Sequence, residues 1–122
     1  MKGTTTLELP RMAGSAGIAR LIITAHCASL PSERCKSANL MVSELVTNAY
    51  RHGRGRIELI VRSSADGVRA EVRDQGSHED IAVAGDRAGQ GGWGLFFVDR
   101  LADEWGVAPD DSRVWFHVGT AG

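Results

Sequence analysis

Three side chains stand out for their type and their spacing. Glu44, Asn48 and His52 recur every fourth residue in Ser43-Glu44-Leu45-Val46-Thr47-Asn48-Ala49-Tyr50-Arg51-His52-Gly53, and a step of four keeps side chains on one line of a helix. A carboxylate in such a line can accept a proton or orient water, and an amide oxygen one turn away can ligate Mg²⁺. A second group, Asp74-Gln75-Gly76, ends a strand-like stretch. Its carboxylate can accept a hydrogen bond from an exocyclic amine. The third feature is glycine: five of the fifteen fall between Gly85 and Gly94, in a segment that runs straight into helical spacing. Backbone amides at such a helix start bind phosphate, and glycine lets the chain approach an anion closely.

Each feature also has a plainer reading. The stripe could be boundary residues making local hydrogen bonds, and the glycines a loop tip. Gly89-Gln90-Gly91-Gly92-Trp93-Gly94 matches the dinucleotide fingerprint G-x-G-x-x-G, but too few residues follow to complete that fold. No P-loop motif is present. Taken together, the three groups suggest one nucleotide: a base acceptor, an Mg²⁺-ligating amide and a phosphate cradle.

The elements that must position these groups follow from periodicity. Thr4 to Leu9 reads as an edge strand stopped by Pro10. Gly14 to Ser29 has helical spacing, and a second helix starts at Pro31-Ser32 and runs to about His52, with Gly53 as its stop. At about 100° per residue, Met41, Val42, Leu45, Val46 and Ala49 form an apolar arc, with Glu44, Asn48 and His52 along its shoulder. Arg56 to Ser63 and Val68 to Arg73 alternate around the turn Ala65-Asp66-Gly67 as a hairpin. Asp74 to Gly92 is aperiodic, Trp93 to Ala102 is helical, and Trp105–Val107 and Val114–Val118 are short strands. Strands grouped in antiparallel pairs between helices predict an α+β fold. Its form is a two-layer α/β sandwich with a mainly antiparallel sheet and about three helices on one face. Residues 1–122 are expected to form a single domain.

Composition narrows the function. The chain is 43% hydrophobic and 24% charged, with a net charge of −1 from fifteen acidic and fourteen basic residues. That is too apolar for disorder and has no polybasic excess, so direct nucleic-acid binding is not expected. The amino-terminal Met1-Lys2-Gly3 has no apolar run behind it, and no stretch reaches the ~20 residues of a membrane span. Cys27 and Cys35 have neither redox nor zinc spacing and are expected to be buried or idle thiols; the four histidines are scattered. A cytoplasmic protein is expected.

The order of motifs resembles the GHKL ATPases, the superfamily of gyrase and the histidine kinases. Ser43 to Gly53 looks like their N box, Asp74-Gln75-Gly76 their first glycine box, and Gly92-Trp93-Gly94-Leu95 their second. The stretch Val98 to Gly106 and the closing Val114-Trp115-Phe116 are similar to the anti-sigma-factor serine/threonine kinase branch. The resemblance covers roughly residues 5–118. It implies a Bergerat-type ATP site in which Asn48 coordinates Mg²⁺ and Glu44 is the general base. Asp74 would take the adenine amine, with Gly76 allowing close approach. Gly92, Gly94 and the Leu95 amide would cradle the phosphates, and His52 belongs to the same nucleotide-binding set. About Ser77 to Gly91 would form a lid, with Arg87 its one basic residue. It further implies binding to a sigma factor and phosphorylation of a STAS-type antagonist protein, with no membrane association. The edge strand leaves room for a homodimer. Two departures stand out: His78 where a second glycine is common, and Arg113 where a small hydroxyl residue often helps hold adenine. They motivate the alternative of a non-catalytic interaction module of the same fold, with weak or structural nucleotide binding.

Overall fold

Alternating strand residues divide one sheet into an apolar inner face and a charged outer face. The computed structural model describes residues 3–76, 95–108 and 112–120. In these, β1 (Gly3–Leu9), β2 (Ile57–Ser64), β3 (Gly67–Arg73), β4 (Glu104–Ala108) and β5 (Arg113–Gly119) form a sheet of order β1-β2-β3-β5-β4. Every pairing is antiparallel. The first strand lies at an edge, as Pro10 behind it suggests.

The inner face presents Ile57, Leu59 and Val61 from β2, Val68, Ala70 and Val72 from β3, and Phe116 and Val118 from β5, all buried. Three α-helices among the described residues cover it: α1 (Ser15–Ala25), α2 (Ser32–His52) and α3 (Leu95–Leu101). They contribute Ala19 and Ile23, then Ala38, Met41, Val42, Leu45, Val46 and Ala49, then Leu95 and Val98, to the same apolar cluster. Burying a large aliphatic side chain contributes roughly 1.5–3 kcal/mol, so this cluster is the main cohesive term. The expected α+β sandwich with helices on one face is what forms.

Boundaries differ where local bonding overrides periodicity. The first helix stops at Ala25 rather than Ser29, because His26 turns inward and a short 3₁₀ turn, Cys27–Ser29, follows. The buried His26 ring holds Ser63 Oγ at 2.6 Å and Thr5 Oγ1 at 2.8 Å, joining the end of α1 to β2 and β1. Burial holds its pKa below the ordinary histidine value of about 6.5. The second helix runs from Ser32 to His52 as expected, with Pro31 before it and Gly53 after it.

The cysteine expectation is corrected. Cys27 and Cys35 form a disulfide across the α1–α2 connection, with Cα atoms 5.7 Å apart. A spacing of eight gives no sequence signature for this; the turn at Cys27–Ser29 brings the two residues together. The cysteines therefore no longer support a cytoplasmic location, since disulfides are rare in reducing compartments. No described helix is long and apolar enough to cross a membrane.

On the outer face the Glu71 carboxylate is buried and accepts bonds from Arg62 at 3.1 Å, Arg69 at 3.0 Å and Arg113 at 3.2 Å. Desolvation pushes its pKa up, but the bonds from Arg69 and Arg113 outweigh that and hold it below the usual carboxylate range. The Arg69 guanidinium also stacks 4.0 Å from the Trp115 ring centroid.

Candidate functional site

The carboxyl-terminal half of α2 carries the stripe. Glu44 is half-buried, Asn48 is 9% exposed, and His52 at the helix end is exposed. The local hydrogen-bond reading does not hold for the first two. Neither Glu44 nor Asn48 has a side-chain hydrogen bond or ion pair among the described residues, and Asn48 Nδ2 is buried with no partner. A buried amide left unpaired costs about 1–3 kcal/mol. In a helix whose other buried positions are filled by apolar residues, that cost marks a place where a ligand atom can be accommodated.

The end of α2 is fixed from three sides. Gly53 N donates back to Ala49 O at 3.1 Å. Arg11, from the β1–α1 connection, donates Nη1 to Ala49 O and Tyr50 O, each at 2.8 Å, and Nε to Gly55 O at 2.9 Å. A guanidinium on the last carbonyls of a helix satisfies orphan acceptors and complements the helix dipole. The chain after β3 completes the arrangement: Gln75 N donates to Arg54 O at 2.8 Å, and Gln75 Oε1 accepts from Arg56 N at 3.1 Å.

This brings Asp74 beside the helix end. Asp74 Oδ1 accepts the Gly76 amide at 2.6 Å. A Cβ on Gly53 would overlap Asp74 Oδ2 and stand 2.7 Å from Ala49 O, and one on Gly76 would stand 2.9 Å from Asp74 Oδ1. Glycine is needed at both positions because the carboxylate occupies the space a side chain would take.

Arg113 does not enter this region. Alternation along β5 sends Val114 inward and Arg113 to the outer face, where it joins Glu71. The residue on the inner side is Ser112, which is buried. Its Oγ donates to Gly76 O, and its carbonyl accepts from Asp74 N at 3.2 Å. Ser112 thus supplies the small hydroxyl that the sequence reading sought at position 113. Strand alternation back from Val114 was the available signal. Arg11 had none, because its bonds span about forty residues of chain.

Of the sequence-derived site, the structure joins Asp74 and Gly76 to the end of the Glu44–Asn48–His52 helix. Leu95 is buried as the first residue of α3, which packs on α2. Gly92 and Gly94, the proposed lid from Ser77 to Gly91, and within it His78 and Arg87, lie outside the described residues.

The fold and these motifs define a class, and comparison agrees. The histidine kinase-like ATPase domain model matches residues 10–117, and the chain belongs to that family. An ATPase domain binds ATP. Among solved structures, the chain is similar to the RsbU and RsbW domains of Rv1364c from Mycobacterium tuberculosis, with a TM-score of 0.67 and 18% identity. That match covers 95% of this chain and 31% of the other, so this chain spans under a third of that protein. At this identity the likeness establishes the fold. No match was found among curated proteins.

Mg²⁺ fits the residues present. Among the described residues no three His, Cys, Asp or Glu gather into a metal site. Mg²⁺ commonly relies on one or two protein oxygens together with substrate phosphates and water. The unpartnered Asn48 amide is such a group, because its oxygen and nitrogen can exchange places by a flip.

Proposed function

We propose that the chain, acting as one domain, binds Mg-ATP between α2, α3 and Asp74–Gly76 and transfers its γ-phosphoryl group to a serine or threonine of a partner protein. The observation carrying this reading is the buried Asn48 amide, without a partner among the described residues and one helical turn from the half-buried Glu44. Asp74 takes the exocyclic amine of adenine, held by Gly76 N and the Ser112 backbone, and Gly53 and Gly76 leave room for its carboxylate. Asn48 holds Mg²⁺, with His52 beyond it on the nucleotide side, and Gly92, Gly94 and the Leu95 amide receive the phosphates. When bound, Mg²⁺ neutralises charge on the phosphate oxygens.

Glu44 accepts the proton of the attacking hydroxyl as its oxygen bonds to the γ-phosphorus and the bond to the β,γ-bridging oxygen breaks, releasing ADP. The phosphorylated partner gains about −1.5 to −2 charge, enough to prevent docking on a surface that disfavours it. The similarity to an RsbW-containing protein supports a sigma factor as one binding partner and a STAS-type anti-sigma-factor antagonist as the phosphoryl acceptor. A cytoplasmic location suits both partners, and there the Cys27–Cys35 bond would be subject to reduction. A second copy pairing along the β1 edge would give a homodimer.

Calorimetric titration with Mg-ATP, followed by incubation with labelled ATP and antagonist candidates, tests the reading. Asn48→Ala should abolish binding, and Glu44→Ala should bind but form no phosphoprotein. If both variants behave like wild type, the site is misplaced. Tight binding with no phosphoprotein from any partner favours the non-catalytic module, although the turn of Arg113 to the outer face removes one of the two reasons for that reading.

A further inference from the structure

On the flank of α2 away from Asn48, the structure leaves a groove of mixed polar and apolar lining beside a cationic rim. Asn48 and Tyr50 point about 160° apart around the helix. The groove, of about 170 Å³, lies between α2 and the start of α1 and is lined by Met12, Ala16, Val46, Tyr50 and Arg51, among others. Met12 is 51% exposed and Tyr50 38% exposed. Arg11 bridges the two sides, because its bonds to Ala49 O, Tyr50 O and Gly55 O hold the Met12 segment against the loop after α2. The last two residues of α2 and that loop read Arg51-His52-Gly53-Arg54-Gly55-Arg56.

The charge here is unbalanced. Arg51 and Arg54 are exposed, and neither has an ion-pair partner among the described residues. Of the acids on β2 and after β3, Glu58 pairs with Arg73 at 3.3 Å, and Asp74 lies against Gly53 and accepts Gly76 N at 2.6 Å, so one carboxylate stands beside two exposed guanidinium groups. In a chain whose net charge is −1, this local cationic excess is a feature of place rather than composition. Tyr, Met and Arg are the residue types enriched at protein interfaces.

We infer that this groove and rim dock an acidic amphipathic segment of a protein partner. Its apolar side chain fills the space between Met12 and Tyr50, and its carboxylates face Arg51 and Arg54. A nucleic acid would use the cations but leave the exposed Met12 side chain uncovered, which favours a protein occupant. The surface is separate from the Asn48 flank, so docking requires no nucleotide.

Selection of short random peptides displayed on phage against the immobilised full chain, without nucleotide, tests this. The expected result is enrichment of sequences with Asp or Glu flanking an aromatic or aliphatic residue. The consensus peptide, synthesised with a fluorophore, should lose at least about tenfold in affinity with Arg51→Glu/Arg54→Glu, and keep most of it with Arg51→Lys/Arg54→Lys. Tyr50→Ala should weaken binding without abolishing the salt dependence. Unchanged circular dichroism and melting temperature confirm that the variants fold. Failure to enrich acidic peptides, or binding that survives the charge reversal, overturns the inference. So does a labelled single-stranded oligonucleotide that binds with the same dependence on Arg51 and Arg54.

Discussion

Arg11 Nη1 lies 2.8 Å from the carbonyl oxygen of Ala49, so a side chain from before the first helix closes the carboxyl end of the helix that carries Glu44, Asn48 and His52. The same guanidinium reaches Tyr50 O and Gly55 O. The position of the candidate stripe therefore depends on a residue outside every motif.

Replacing Arg11 with Met keeps the aliphatic stem and removes these bonds. A cation at a helix carboxyl end contributes about 0.3–2 kcal/mol, so Arg11→Met should lower stability by about 1 kcal/mol and the melting point by about 4 °C. Hydrogen exchange should quicken at the amides of residues 50–56 while the sheet amides stay protected. Unchanged exchange there would mean that Gly53 N and Gln75 N hold the helix end without Arg11.

Ser112 and Arg113 should separate functionally. Ser112→Ala removes the hydroxyl bonded to Gly76 O and is expected to weaken ATP binding several-fold in calorimetry, by loosening the Asp74–Gly76 turn. Arg113→Thr alters the Glu71 cluster on the opposite face and should leave ATP affinity close to wild type. The reverse order of effects would mean that the register of β5 does not govern the site.

His26 gives the fold an acid-sensitive joint. Burial between Thr5 and Ser63 keeps its folded-state pKa below the ordinary histidine value of about 6.5, so below that value the unfolded chain binds more protons than the folded one. Stability from this residue is present above pH 6.5 and is lost as pH falls toward the depressed folded pKa, by at most about 1.4 kcal/mol per pH unit. Urea unfolding at a series of pH values should show that slope in wild type and a flatter one in His26→Gln, after allowing for the carboxylates. Equal slopes would assign acid sensitivity to Glu71 and the other acids alone.

The disulfide predicts that thiol titration of the denatured, unreduced protein finds no free cysteine, and that reductant releases both. Closing a loop of this size contributes about 2 kcal/mol, so Cys27→Ser/Cys35→Ser should unfold at lower urea, with a slope slightly steeper as the unfolded chain is released. Free thiols in protein purified without reductant would overturn the pairing.

Much of this molecule could be read from local pattern. Alternation in residues 57–73 and 114–118 fixed the two faces of the sheet, and the step of four fixed Glu44, Asn48 and His52 on one flank of a helix. These succeed because period and handedness are properties of the backbone that neighbouring residues already impose. The order of N box and glycine boxes then sufficed to indicate the family. Contacts between residues far apart in sequence were decided by packing alone. Cys27 meets Cys35 because a 3₁₀ turn intervenes; Arg11 reaches Ala49 because β1 and α1 meet beside the end of α2. Ser112, rather than Arg113, turns toward Asp74 because β5 is fixed in register by β3 and β4. A one-residue slip in that register would exchange the two side chains between faces, and only the assembled sheet excludes it.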